Sequence, residues 1–130
     1  SYAIENLNKT IRTSHTIDGG GSEIFVIDNN TSRSYCYAFN GNKLEIKVGT
    51  DSDSDCSDIG ASFAEIVGDN SIDVSGSFSV KETDRSVGER GFVRTNIELR
   101  YVADALDNFE DDVVVIQSSV SLRDYGYNVP

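Results

Sequence analysis

Apolar and polar residues alternate over much of the first two thirds of this chain, the period of two that sends successive side chains to opposite faces of a strand. From about residue 9 to residue 82 the sequence reads as short extended segments, rich in β-branched and aromatic residues and separated by turn chemistry. Ile11 to Ile17 and Glu23 to Ile27 flank Asp18-Gly19-Gly20-Gly21, whose glycines accept positive φ, so an N-terminal hairpin is expected there. Arg33 to Phe39 carries its large residues at odd positions, and Asn40-Gly41 turns it into Lys43-Leu44-Glu45-Ile46-Lys47-Val48 as a second hairpin. In that last strand Leu44, Ile46 and Val48 share one face and Lys43, Glu45 and Lys47 the other, which predicts one core side and one wet side. Residues 50 to 60 are expected as a polar loop, Ala61 to Val67 as extended, and Ile72, Val74, Gly76, Phe78 and Val80 as the inner face of a further strand.

At residue 86 the reading changes period. Ser86-Val87-Gly88-Glu89 matches a capping box, in which the Ser hydroxyl and Glu carboxylate satisfy the free amides of a starting helix. Phe92, Val93, Ile97, Leu99, Tyr101, Val102, Ala105 and Leu106 then fall on spacings of three, four and seven, which predicts an apolar helical stripe over residues 87 to 107. After Asn108, Asp111-Asp112 favours a second helix start through the dipole, while the β-branched Val113-Val114-Val115-Ile116 suits a strand equally well. Strands followed by helices predict an α+β fold: an N-terminal β-hairpin and antiparallel β-sheet followed by one or two C-terminal α-helices on one sheet face. A helix of about 20 residues is about 30 Å long, enough to lie across a neighbour's sheet, so an interlocked dimer is expected.

Length and composition narrow the class. The chain has 130 residues, which fits a single domain spanning 1–130. No apolar run approaches the roughly 20 residues that cross a bilayer, and the start lacks a basic and apolar signal-peptide pattern, so a soluble, unprocessed protein is expected. Asp and Glu number 22 against 11 Lys and Arg, a formal charge of −11 that opposes nucleic-acid binding unless a few bases gather on one face. Cys36 and Cys56 are too few for a disulfide scaffold, and two unpaired thiols is the plain reading. Asn8-Lys9-Thr10 and Asn30-Thr31-Ser32 match the glycosylation pattern by chance if no secretion signal exists. His15 is the only histidine, and neither a nucleophile elbow nor a phosphate loop is present, so no enzyme is expected.

The stretch Gly76-Ser77-Phe78-Ser79-Val80-Lys81, the polar connection after it, and Glu89-Arg90-Gly91-Phe92-Val93-Arg94-Thr95 resemble the C-terminal half of single-stranded RNA bacteriophage coat proteins of the levivirus, Qbeta-like type. Lys43 to Val48 resembles the family strand that precedes a long loop, and the likeness covers about residues 40 to 107. It implies a capsid subunit that dimerises through its helices, assembles into an icosahedral shell in the bacterial cytoplasm, and holds genomic RNA on the inner sheet face of the virion. By position it implies Lys43 and Lys47 as phosphate contacts, with Arg33 and Lys81 as further candidates. It implies Phe92, Val93, Ile97, Leu99, Val102 and Leu106 as the dimer helix.

Asp51, Asp53, Asp55 and Asp58 stand where the family loop clusters around symmetry axes, and converging carboxylates would call for a divalent cation, Ca2+ being the natural choice. An isolated calcium-binding loop is not expected, because Cys56 and Ser62 replace the Gly and Glu of that pattern. Cys56 lies in the same loop, and the family resemblance implies an intersubunit disulfide there, with pairing to Cys36 the other arrangement. Tyr35 and Tyr37 read as core rather than as base-stacking residues. Two other readings compete: an acidic β-rich subunit of the pilus or adhesion type, and a calcium-dependent binding module.

Overall fold

The computed structural model describes residues 2–67, 72–81, 86–101 and 113–121. It opens on a helix, α1 (Tyr2–Arg12), followed by strands β1 (Ser14–Gly20), β2 (Glu23–Asp28), β3 (Arg33–Asn40), β4 (Lys43–Val48), β5 (Ala64–Val67), β6 (Ile72–Lys81), β7 (Phe92–Tyr101) and β8 (Val113–Ser121). The strands form two antiparallel meanders, a five-stranded sheet in the order β1-β2-β3-β4-β5 and a three-stranded sheet in the order β6-β7-β8.

Helix α1 forms because Ile4, Leu7 and Ile11 recur at three and four residues and are all buried, while Glu5 in the first turn and Lys9 and Arg12 in the last suit the dipole. It stops where the Ser14 hydroxyl takes the Thr10 carbonyl at 2.7 Å and Thr13 turns its hydroxyl to Asp28 Oδ1 at 2.6 Å. Those bonds hand the chain directly into β1. The expected N-terminal hairpin is therefore present as β1 and β2, but its first strand begins at Ser14, and Ile11 belongs to the helix.

The second hairpin is present, but its turn falls one residue later than Asn40-Gly41: Asn40 closes β3 opposite Lys43, and the two turn residues are Gly41 and Asn42, at φ of 55° and 65°. Positive φ at both positions matches the right-handed twist of the strands it joins, which is why Gly and Asn stand there.

One core lies between α1 and the inner faces of both sheets. Ile24 and Val26 of β2, Tyr37 of β3, Leu44 of β4, Val74 and Phe78 of β6, Val93 and Ile97 of β7 and Val120 of β8 meet the three helix residues. The sheets join where β6 runs past the hairpin ends of the larger sheet. Gly21 exchanges two backbone hydrogen bonds of 2.8 Å with Phe78, and the Val74 amide donates to the Asn42 carbonyl at 2.8 Å. Across this seam the Phe39 ring packs 5.1 Å from the Phe78 ring and lies directly over Gly76.

The α+β arrangement with C-terminal helices is corrected. Residues 92–101, read as the opening of the apolar helix, form the central strand β7, paired with β6 from Lys81↔Phe92 to Ile72↔Tyr101 and with β8 from Phe92↔Ser121 to Arg100↔Val113. Val93, Thr95 and Ile97 are buried and Arg94 and Arg100 exposed, a period of two. Residues 86–88 form a turn with Gly88 at φ 69°, and Glu89 pairs with Lys81 at 3.1 Å instead of closing a capping box. Of the expected dimer helix, Phe92, Val93, Ile97 and Leu99 are thus strand residues, and Val102 and Leu106 lie outside the described residues. Of the segment after Asn108, Val113–Ser121 is a strand. Among the described residues no helix is long and apolar enough to cross a membrane.

Burial of Tyr37 at the helix–sheet seam pushes its phenol up to about 12, with Tyr35 and Asp28 adding to the effect against a lowering hydrogen bond with Thr10. The folded state favours the neutral phenol, so stability from this group is complete below pH 10, the ordinary value, and is lost as pH rises towards 12. A spectrophotometric alkaline titration should show one late tyrosine ionising with unfolding. Tyr37→Phe should remove about 2–3 kcal/mol of that alkaline destabilisation, and an unchanged alkaline midpoint in the variant would refute the assignment.

Candidate functional site

The far face of the larger sheet, away from α1, carries Phe25, Ile27 and Cys36, and the loop of residues 49–63 between β4 and β5 folds back over it. Cys56 and Ile59 are buried there and Phe63 packs against them. Cys36 and Cys56 form an intrachain disulfide with Cα atoms 5.3 Å apart, closing a separation of 20 residues. This corrects the reading of two unpaired thiols, and of the two arrangements considered for Cys56 the observed one is pairing with Cys36, which leaves it unavailable for an intersubunit bond. The physical cause is the parity of β3, which sends Cys36 to the face that the loop covers.

Lys47 shares that face, directly opposite Cys36. Its ammonium donates to the Cys56 carbonyl at 2.9 Å and to the Ile59 carbonyl at 3.5 Å, and stands 4.7 Å from the centre of the Phe63 ring. It therefore holds the loop down, because a half-buried ammonium must find acceptors and these carbonyls provide them. Lys43, on the same face, pairs with Glu65 of β5 at 2.9 Å. Arg33 is exposed on the opposite face of this sheet, in register with Asp28, and Lys81 is exposed in the smaller sheet, paired with Glu89. The four basic residues singled out for phosphate contact are thus spread over different faces and do not form one patch.

The aspartates of the same loop are hydrogen-bond acceptors that shape it. Asp53 Oδ2 accepts from the Thr50 amide at 2.9 Å and the Ser34 hydroxyl at 3.1 Å. Asp55 caps the single 3-10 turn Cys56–Asp58, accepting from the Asp58 amide at 3.0 Å and the Ser57 hydroxyl at 2.6 Å. Asp58 Oδ2 accepts from the Ser54 hydroxyl at 2.7 Å and amide at 2.9 Å, and these two bonds hold its carboxyl below the usual value. Asp51 is exposed. Among the described residues the one set of three metal-capable side chains with donor atoms within 4.8 Å of one another is Glu23, Cys36 and Cys56. Its sulfurs are committed to the disulfide, so that set offers one carboxylate. The Asp/Ser alternation reads best as a run of side-chain-to-backbone caps in a tight loop.

Two further features were not singled out in the sequence. A polar cavity of about 220 Å³ lies between α1 and the β2–β3 turn, lined by Asn6, Lys9, Asp28, Thr31, Tyr35 and Tyr37 among others. Its walls supply both donors and acceptors and suit water or another small polar solute. The second is β8, the outer strand of the smaller sheet, with β7 on one side and no described strand on the other. Val113, Val114 and Val115 are 36%, 49% and 61% exposed, and the nine residues of the strand include no charged side chain. The signal was visible as the run Val113-Val114-Val115-Ile116, which fits a strand but does not by itself say that the strand lies at an edge.

Comparison of the chain with protein-family models, with curated proteins and with solved structures gave no match.

Proposed function

We propose that this chain is a structural subunit of an extracytoplasmic fibre, of the acidic, β-rich pilus or adhesion type, in which a leading helix is carried on antiparallel sheets. The observation that carries the reading is the intrachain disulfide that pins the 49–63 loop across the sheet. Such a bond forms and persists in an oxidising compartment, the setting of an extracytoplasmic fibre. The rest of the architecture supports it. Helix α1 packs against two sheets and seals the core between them, and a surface with an excess of acid suits a protein facing solvent rather than nucleic acid. That Lys43, Lys47, Arg33 and Lys81 do not gather into one patch, with Lys47 spent on holding the loop, favours this reading over an RNA-lined shell.

Immunogold electron microscopy of the source cells with antibody to the folded chain tests this. Label along extracellular fibres is the expected result. Label on closed particles that contain RNA would overturn it in favour of the coat reading.

A further inference from the structure

We infer that β8 is a self-association edge at which a second copy of this chain adds in antiparallel register, joining two three-stranded sheets into one of six strands. This concerns the chain itself and stands whether or not the assembly is a fibre.

An outer strand presents a row of unpaired amides and carbonyls, and folded proteins ordinarily guard it with charge, proline or a bulge. In β8 none of these guards is present. The strand Val113–Ser121 has no charged residue and no proline, its register with β7 is continuous over nine residue pairs, and three valines at its start are exposed. The neutrality is selective, since the chain as a whole is 25% charged and carries −11. Two such acidic molecules repel over most of their surfaces, and a neutral strip is where close approach is least opposed.

The sequence of the strand is complementary to itself. With two copies antiparallel and fully overlapped about Gln117, Val113 and Val115 stand opposite Ser121 and Ser119 of the partner subunit, and Val114 opposite Val120 of the partner subunit. Each exposed valine then meets a small or apolar side chain and no like charges face one another. Gln117 meets its own copy on the two-fold axis, where paired carboxamides can exchange hydrogen bonds. The inner face of β8 is already occupied by α1, with the Ser118 hydroxyl donating to Asn8 Oδ1 at 3.1 Å. A partner must therefore enter in the plane of the sheet, as a strand does. A symmetric pairing of this kind closes as a two-fold dimer, the commonest form of self-association.

The test uses the position that faces itself. Wild type should show concentration-dependent dimerisation by sedimentation velocity, with the amides of 113–121 exchanging more slowly in the dimer. Gln117→Glu and Gln117→Arg should each weaken the dimer by about tenfold or more, since each sets two like charges opposite one another. An equimolar mixture of the two variants should restore it as a heterodimer. Gln117 is exposed, so both variants should fold, and unchanged far-ultraviolet circular dichroism checks that they do. Val87→Lys, at an exposed apolar residue outside β8, should leave association unchanged. A wild type that stays monomeric, a dimer indifferent to either charge, or a mixture that fails to recover would each overturn the inference. So would full protection of the 113–121 amides in a monomer, which would mean that the edge is covered within one chain.

Discussion

Reduction of the Cys36–Cys56 disulfide, or its replacement by Ser at both positions, should lower the stability of the chain by about 3 kcal/mol, the loop-closure contribution of a link spanning roughly 20 residues. The covalent link is only part of the effect. Lys47, Ile59 and Phe63 pack the loop against Phe25 and Ile27, and once Cys56 is released the Lys47 ammonium must hold its carbonyl acceptors without the covalent anchor. Chemical denaturation with and without reductant measures the change. Loss concentrated in amide protection of the loop and of the β3–β4 pair would identify the far face as the part that opens first. A midpoint unmoved by reduction would show that the loop is held by packing alone.

Gly76→Ala should be at least as damaging, although it adds a single methyl group to a strand. The added carbon would collide with the Asn96 carbonyl and come within 2.7 Å of the Phe39 ring, at the seam where the two sheets meet. Neither neighbour can yield readily. The carbonyl belongs to the central strand β7, and the ring is held against Phe78. Overpacking of this kind costs about 1–3 kcal/mol or more, and the expected result is a loss near the top of that range with lowered cooperativity between the sheets. The double variant Gly76→Ala with Phe39→Leu should recover part of it by vacating space, and a fully additive loss would show that the carbonyl contact, not the ring, sets the cost.

These two sites differ in how far they could be read in advance. The turn at Gly41-Asn42 and the alternation of Leu44, Ile46 and Val48 specify a hairpin through interactions among neighbouring residues, so local chemistry suffices. The same holds for Ile72 to Val80, now β6. Residues 92–101 show where local reading divides. Val93 and Ile97 are four apart, a spacing that keeps both on one face of a helix and on one face of a strand. The polar set Arg94, Asn96, Glu98 and Arg100 has a period of two, whereas the Ser86-to-Glu89 pattern upstream favours a helix. Pairing decided it. With β6 on one side and β8 on the other, the backbone groups of β7 are satisfied between strands, and the helix has no advantage left. Helix α1 is ambiguous in the sequence for the converse reason: Ile4, Leu7 and Ile11 carry a helical period, yet Ile11 also fits the start of the following strand.

The sequence by itself determined the β character of the segments from Ser14 to Lys81, the presence of both hairpins, and the inward parity of Tyr35, Tyr37, Leu44 and Ile46, because these follow from periodicity and turn chemistry. The exact turn residues lie later than read, and the face of Lys43 and Lys47, expected wet, is covered by the 49–63 loop. It also placed the polar loop and the run of β-branched residues at Val113. Only the tertiary structure decided which cysteines meet, which lysine is spent on holding a loop, and which strand is left at an edge. Each of these depends on the path of the chain between residues far apart in sequence: the loop of 49–63 folding back onto Cys36, and β8 lying outside β7. Side-chain identity limits such outcomes, but chain closure and packing choose among them.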